Sequence, residues 1–423
     1  MKIKLLFPLF LFGFYCINIE ALAPNLGAKS AILINAQTGV VLYEKRAHDP
    51  AFPASTTKIA TAIYSIEKMQ GRLDEIVCAQ PDAMAQRSSK SGDLPYRLTR
   101  DSSLMGLKLG EELPFRVLLY GLMLCSGNDA GNVIAHHLSG SIPRFMDELN
   151  QYLRSKGLKE TQFYNPHGYH YPEHVTTAYD LAKITQYALK NPLFSEIVKT
   201  IRYPRPETAH NPSWQMVQSN KLLKPGAFYY PYAIGVKTGF HTPGGANLVA
   251  AAEKNGRKLI AVLLGNPDKD RRFRDAIALF EEAFAEKKVD RKLFSKGADS
   301  FSYHLKDAAF PIEARLKSDL VVCYYPSEEP QLKARLLWDK CLLPIQEESP
   351  VGSIEIVTEE GVVVCRERLF AFKDVERTRM AQILFLYQSY KRQLFFGFGG
   401  LLIVGGILFS AQASRKKSSK PKS

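Results

Sequence analysis

The spacing of apolar residues changes along the chain, and the changes mark its boundaries. From Ala28 to about residue 290, strand and helix periods are mixed. Ser30–Ile34 and Val40–Glu44 are strand-like runs on either side of Asn35-Ala36-Gln37-Thr38-Gly39, a pattern that predicts a hairpin. Ile59, Ile63, Ile66 and Met69 fall at helical spacing, as do Phe273, Ile277, Phe280 and Phe284. A helical middle lies between these stretches. Two later strands, Asn247–Ala252 and Lys258–Leu264, turn through Asn255-Gly256. Hairpin, helices, strands and a closing helix predict an α+β domain over 24–290.

Beyond it the helical period fades. Asp319–Tyr325, Lys333–Trp338, Ser353–Thr358 and Val362–Arg368 are short strand-like runs, with Glu359-Glu360-Gly361 as a turn, so 291–376 reads as a small all-β domain. Thr378–Lys391 is helical again and makes 377–393 a helical linker.

The two ends read as addresses. In 1–23, Lys2 and Lys4 precede an apolar run from Leu5 to about Ile17, and Ala21-Leu22-Ala23 offers small residues for cleavage, the pattern of a signal peptide. An uncleaved anchor is the alternative, because Pro24 is a poor residue after a cut. Cys16 follows Tyr15 rather than a small residue, which argues against lipidation. Leu394–Ala413 is about 20 residues without a charge, enough to cross ~30 Å of hydrocarbon as a helix. The run is apolar on every face, which favours a span over an interfacial helix. Arg415, Lys416, Lys417, Lys420 and Lys422 lie beyond it, so 394–413 is expected to be a transmembrane helix, 414–423 a cytoplasmic tail, and the body exported.

Charge changes little in this picture. The net charge is +14, from 56 Lys+Arg against 42 Asp+Glu, but seven of the cations crowd the two ends. What remains is a mild excess, and no nucleic-acid partner is expected. Without Cys16, five cysteines are left: Cys78, Cys125, Cys323, Cys341 and Cys365. An odd number leaves at least one unpaired within the chain, and the spacing does not fix the pairing. His167, His170 and His174 are irregularly spaced, a loop rather than a metal site. No metal or cofactor is called for.

Three short motifs carry candidate chemistry. Pro53-Ala54-Ser55-Thr56-Thr57-Lys58 opens the first helix, where Ser55 and Lys58 share one face and a neutral lysine amine could take the serine proton. Ser65–Lys68, Ser414–Lys417 and Ser419–Lys422 repeat the spacing, so it is weak alone. Ser126-Gly127-Asn128 follows the apolar Val117–Cys125 run, and Lys237-Thr238-Gly239 ends a short strand, Ile234–Val236. Long gaps separate the three, so each comes from a different element and all could converge on one cleft.

Together these blocks resemble a low-molecular-mass penicillin-binding protein, a serine-type D-alanyl-D-alanine carboxypeptidase. PASTTKIATA, LCSGNDAGNVIA, YNPHGYH, HVTTAYDLAKIT and VKTGFHTPGGANLVAAA stand in family order across roughly Ala28–Glu286. The resemblance implies a penicillin-binding/serine β-lactamase-like fold, followed by a small β domain and membrane attachment. It implies that Ser55 is the nucleophile, Lys58 its base and Ser126 a proton relay. Asn128 would contact the substrate amide, and Lys237, Thr238 and Gly239 would line the side that holds the terminal carboxylate. The N–H groups of Ser55 and Phe240 would form the oxyanion hole, and Arg272 would help hold the carboxylate. Implied partners are peptidoglycan stem peptides, with β-lactams as covalent inhibitors. The chemistry asks for a neutral Lys58 and a charged Lys237, and two lysines in one desolvated cleft repel.

Alternatives stay open. A class A β-lactamase needs a deacylating Glu after the second motif, and Glu173 lies in Pro172-Glu173-His174-Val175 without the expected pattern. A degenerate scaffold would not keep every catalytic position filled. Endopeptidase or transpeptidase action on cross-links is unresolved. Ala85–Arg100 is long and basic and reads as a surface excursion; Cys125 reads as a small buried residue or as a redox-sensitive neighbour of Ser126.

Overall fold

A computed structural model describes residues 3–8, 25–86, 94–359 and 361–390. In chain order come β1 (Ile3–Pro8), β2 (Ser30–Asn35), β3 (Val41–Lys45), a 3-10 turn over Ala54–Thr57, α1 (Lys58–Met69), β4 (Ile76–Cys78), α2 (Pro81–Met84), β5 (Glu112–Pro114) and α3 (Phe115–Leu124). Helices α4 (Asn128–Ser139), α5 (Ile142–Ser155), α6 (Ala178–Ala188) and α7 (Pro192–Lys199) follow. Next are β6 (Arg202–Arg205), β7 (Trp214–Val217), β8 (Ala233–His241), β9 (Gly245–Lys254), β10 (Arg257–Asn266) and α8 (Arg271–Ala285). The last strands are β11 (Val289–Phe294), β12 (Ser300–Tyr303), β13 (Ile312–Leu316), β14 (Leu320–Tyr324), β15 (Leu332–Trp338), β16 (Pro350–Thr358) and β17 (Val363–Ala371). Contacts group them into two compact units, one within residues 16–287 and one built from β1 with the residues after Lys287.

The first unit is organised by an antiparallel sheet in the order β3-β2-β10-β9-β8. Successive side chains along a strand point to opposite faces. Ile32, Ile34, Ile260, Val262 and Leu264 therefore join the core under α1 and α3–α7, while Ala31, Leu33, Leu259, Ala261 and Leu263 pack with Phe273, Leu279 and Phe280 of α8. Both faces are covered, so the strands read as continuous apolar runs. Asn255 (φ 51°) and Gly256 (φ 77°) close β9 onto β10 in the left-handed conformations that a tight hairpin demands. Helix α1 runs through the centre of the helical layer and is buried over Lys58–Ile66.

The second unit contains a six-stranded sheet, β1-β15-β16-β17-β13-β12, and a ribbon, β11-β14. Its core is formed by Ile312, Leu336, Trp338, Ile354, Ile356 and Leu369, with Trp338 stacked on Tyr303 at 5.2 Å. It begins with β11 at Val289, slightly before the expected boundary, and contains β12 and β13, which are too short to show in the apolar pattern. Residues 3–8, assigned from sequence to a signal peptide, pair antiparallel with β15 from Ile3↔Trp338 to Pro8↔Lys333. The rest of that segment, the 394–413 span and the basic tail lie outside the described residues. A helix runs over 379–390, and the last three residues of the 377–393 segment lie outside the described residues. No helix among the described residues is long and apolar enough to cross a membrane.

One expectation is corrected here. Of 85–100, residues 87–93 lie outside the described residues, but the remainder is not a surface excursion. Tyr96 and Leu98 are buried, and the Tyr96 carbonyl accepts Asn132 Nδ2 at 2.9 Å. Two apolar anchors in a polar stretch suffice to draw it onto α4.

A buried ion pair ties the approach to β5 to the β6–β7 hairpin. Glu111 and Arg205 are fully buried against each other, and Glu111 also accepts Thr208 Oγ1 at 2.6 Å, Asn211 Nδ2 at 2.7 Å and Lys108 N at 3.0 Å. Removing one partner strands the other's charge. Glu111→Ala is expected to lower stability by about 3–5 kcal/mol in urea unfolding followed by circular dichroism. A loss below ~1 kcal/mol would mean that Arg205 finds another partner.

Candidate active site

Ser55 stands in the 3-10 turn that runs directly into α1, and Lys58 is the first residue of that helix. Lys58 is wholly buried. Its amine meets three oxygens: Ser55 Oγ at 3.0 Å, Asn128 Oδ1 at 2.8 Å and the His167 carbonyl at 2.7 Å. Two of these can only accept. A neutral amine spends its two N–H groups on them and turns its lone pair toward the serine hydroxyl. Burial first, and the charge of Lys237 second, hold Lys58 well below the usual lysine range, against the opposing pull of Asp129. The geometry is that of a serine with an adjacent base.

Asn128 opens α4, and the turn before it is tightly drawn. Ser126 has a left-handed backbone (φ 58°), and a Cβ on Gly127 would come within 2.9 Å of Asp129 Oδ1 and 3.1 Å of Met105 N. Asp129 accepts backbone N–H groups from Met105 and Gly106 at 2.9 Å and Leu107 at 3.0 Å. This carboxylate fastens the 105–107 stretch against the start of α4 and fixes Asn128 beside Lys58.

Strand β8 supplies the opposite wall. A Cβ on Gly239 would lie 3.0 Å from Pro53 O and 3.1 Å from Ser55 N, so the strand lies against the serine turn with little room for a side chain. Thr238 Oγ1 is 2.8 Å from Ser219 Oγ. Lys237 is buried and donates to the Thr238 carbonyl at 3.0 Å; burial and the Arg272 charge lower it to about 7. Arg272, in the first turn of α8, donates Nη1 to the carbonyls of Gly239 (2.7 Å) and Asn247 (2.9 Å). Phe240 is exposed, with Lys269 Nζ 3.8 Å from its ring centre.

The serine turn is held from behind. Asn247 Nδ2 donates to Phe52 O at 2.8 Å and Pro53 O at 2.9 Å. Ala54 carries an unusual positive φ of 49°, and its carbonyl accepts Thr57 Oγ1 at 3.0 Å. His174 Nδ1 accepts Tyr164 N at 3.1 Å, so its Nε2–H donates to Thr57 Oγ1 at 2.9 Å. His167 is assigned likewise: Nδ1 accepts Tyr169 N at 3.2 Å and Nε2 donates to Tyr96 O at 3.2 Å. Burial, then the Lys58 charge, pushes His167 down to about 3, so both histidines are neutral supports.

The structure thus gathers Ser55, Lys58, Asn128, Ser126, Lys237, Thr238, Gly239 and Arg272 into one region of the first unit. The competing Ser65–Lys68 pair is not formed: Ser65 Oγ is buried without a hydrogen-bond partner among the described residues, and Lys68 pairs with Glu148 at 3.1 Å. Ser414 and Ser419 lie outside the described residues. One expectation changes. Lys237, expected to stay charged, is displaced toward neutrality because it is buried beside a second cation. Cys125 is half-buried and its thiol is raised to about 11 by burial, which makes it a poor redox centre. Cys78, Cys125, Cys323, Cys341 and Cys365 are all free thiols. Sequence reasoning passed over Asn247 and the His167 carbonyl. The asparagine in GGANL and the NPHG turn were the available signals.

Comparison with known proteins points the same way. The family model described as D-alanyl-D-alanine carboxypeptidase matches residues 18–268. The chain is 27% identical to the D-alanyl-D-alanine carboxypeptidase DacF of Bacillus subtilis over 83% of its length and 86% of the relative's. It is 32% identical to DacA of Escherichia coli over 59% of each. Among solved structures, penicillin binding protein 5 from Haemophilus influenzae shares the fold (TM-score 0.58, 24% identity, 84% of this chain and 99% of that one). The Streptomyces K15 DD-transpeptidase is similar at TM-score 0.55 and 30% identity, over 62% of this chain and 98% of that one.

The closest backbone approach in the site gives a direct test. A Cβ on Gly168 (φ 85°) would fall 1.8 Å from Ala54 O, so Gly168→Ala must move the serine turn. Ser55 acylation by a β-lactam is expected to slow about 100-fold or more while far-UV circular dichroism is retained. Near-normal acylation would show that the turn does not depend on this contact.

Proposed function

The chain belongs to the D-alanyl-D-alanine carboxypeptidase family and is a serine-type hydrolase of that class, and we propose that Ser55, Lys58 and Ser126 carry its chemistry. The observation that carries this reading is the Lys58 amine, buried between Ser55 Oγ, Asn128 Oδ1 and the His167 carbonyl. The substrate is a peptidoglycan stem peptide ending in D-alanyl-D-alanine, and β-lactams acylate the same serine.

In this mechanism Lys58 takes the proton of Ser55 Oγ as the oxygen attacks the carbonyl of the penultimate D-alanine. The developing oxyanion lies between the N–H groups of Ser55 and Phe240; the Gly239 approach supports this, since it brings the strand backbone against Ser55 N. The C–N bond breaks, and Ser126 passes a proton from Lys58 to the departing D-alanine nitrogen. Water then attacks the ester, losing its proton to Lys58, and the stem is released one residue shorter. Lys237 with Thr238, backed by Arg272, meets the terminal carboxylate, and Asn128 faces the amide as well as holding Lys58. Arg272 acts partly through the strands, because its Nη1 is committed to Gly239 O and Asn247 O.

The proposed setting is the outer face of the cytoplasmic membrane, with the catalytic unit exported. Support for it comes from the 1–23 signal pattern and the uncharged 394–413 run with its basic tail.

Ser55→Ala is expected to abolish both covalent penicillin labelling and D-alanine release. Weighing the products from pentapeptide-bearing and cross-linked muropeptides identifies the bond cut. Loss of one D-alanine from pentapeptides is expected, and cleavage or formation of cross-links would favour the transpeptidase-like alternative.

Lys237 gives a pH prediction. It is charged below about 7 and neutral above, so kcat/KM for a carboxylate-bearing peptide should fall as pH rises through that range. Lys237→Arg should keep partial activity and shift this alkaline limb to higher pH, because guanidinium does not deprotonate there. An unmoved limb would assign the fall to another group.

A further inference from the structure

The second unit contains a half-open cavity of ≈ 520 Å³, and cations and phenyl rings line it. Lys296, Arg315 and Lys317 contribute three positive charges, and Glu348 is the one carboxylate in the lining. Lys317 is paired with Glu348 and also lies 4.1 Å from the Phe370 ring centre. Arg315 is stacked 3.2 Å from the Phe372 ring centre, and its buried Nε has no hydrogen-bond partner among the described residues. The guanidinium therefore keeps unspent donor capacity on a rigid platform.

The walls are shaped by unusual backbone. Gly297 (φ 68°) has open space where a Cβ would stand, and its N–H holds Leu316 O at 3.2 Å. Glu348 is left-handed without being glycine (φ 64°), and its N–H bonds to Ala371 O at 2.9 Å. Such conformations persist where the surroundings enforce them and often mark functional turns. The two phenyl rings supply the apolar surface of the lining, while Leu316 and Ala371 beneath it belong to the core of the unit.

A site with surplus positive charge on one side and apolar surface on the other fits a ligand with an oxyanion and small apolar groups. We propose that this cavity binds a carboxylate-bearing stem peptide of the wall polymer, with the carboxylate on Arg315 and apolar groups of the peptide against the Phe370 and Phe372 rings. A phosphodiester polymer supplies the charge but little apolar surface. The proposal rests on the reading of the chain as a peptidoglycan carboxypeptidase and adds a second, non-catalytic contact with the same polymer. Its effect would be to keep the enzyme on its substrate between turnovers.

The test uses the full chain in detergent, with Ser55 first acylated by a β-lactam so that the catalytic cleft is filled. A muramoyl-tripeptide, which lacks the scissile D-alanine, is titrated by calorimetry. Binding is expected, weakened at least tenfold by Arg315→Gln and severalfold by Phe372→Leu, with Arg315→Lys intermediate. Lys317→Gln carries the test if Arg315→Gln fails to fold, since the Lys317 side chain is 50% exposed and its replacement is mild. No binding by the wild type, unchanged affinity in the variants, or equal binding of a glycerol phosphate oligomer would overturn the proposal. Penicillin labelling and D-alanine release, measured on the same preparations before blocking, report separately on the catalytic reading.

Discussion

The site depends on a lysine amine that has no access to water. An isolated ammonium in such a place costs several kcal/mol even after the protein relaxes. Lys58 meets that constraint by being surrounded with oxygen and by giving up its charge readily. Its three partners come from segments far apart in sequence, the serine turn, the start of α4 and the loop at His167. A helix that must bring this residue to the junction of three segments has to be buried on all sides there, and α1 is, over Lys58–Ile66. The central position of α1 in the helical layer and the reactivity of Ser55 thus follow from one requirement.

Positioning to a few tenths of an ångström is achieved mainly by backbone rather than by side chains. Gly168 and Gly239 press on the serine turn from two sides, at separations that a methyl group would forbid at Gly168 and crowd at Gly239. Between them Ala54 adopts a left-handed conformation that costs roughly 1–2 kcal/mol for a residue with a Cβ. The cost is met by a local network: Thr57, itself held by His174, donates to the Ala54 carbonyl, and Asn247 donates to the Phe52 and Pro53 carbonyls. A turn over-determined in this way cannot relax when substrate arrives. That rigidity preorganises the N–H donors that an oxyanion needs.

This division of labour explains what was legible in the sequence. The β2–β3 and β9–β10 hairpins and α1 and α8 were visible because their apolar periods are long and their turns carry Asn and Gly. The β4–β5 and β6–β7 pairs were not, since strands of three or four residues have no period to read. Side chains proposed for the chemistry and for binding were legible by type and spacing: Ser55, Lys58, Ser126, Asn128 and Lys237. The third partner of Lys58 was not, because it is a backbone carbonyl, and any residue could have supplied it. His167 drew attention through its imidazole, which is only a neutral strut for the loop. The 94–98 stretch misled because two buried anchors, Tyr96 and Leu98, were outnumbered by polar neighbours.

The charge on the β8 side is the least readable feature and the most informative. Lys237 and Arg272 are buried near each other, and neither forms an ion pair among the described residues. Burial, then the Arg272 charge, pulls Lys237 down to about 7, and burial, against the opposing pull of Asp270, lowers Arg272 to about 10. A site tuned for stability would place a carboxylate here. Leaving it out creates a demand that a ligand with a free C-terminal carboxylate can satisfy, and each pKa unit restored to Lys237 on binding is worth about 1.4 kcal/mol of affinity. Glu111 and Arg205 show the contrast within the same unit, a buried pair already satisfied and therefore purely structural. On the roles proposed for Lys237 and Arg272, selectivity for a peptide terminus over a mid-chain amide would follow from an incomplete ion pair, since only the terminus brings the missing charge.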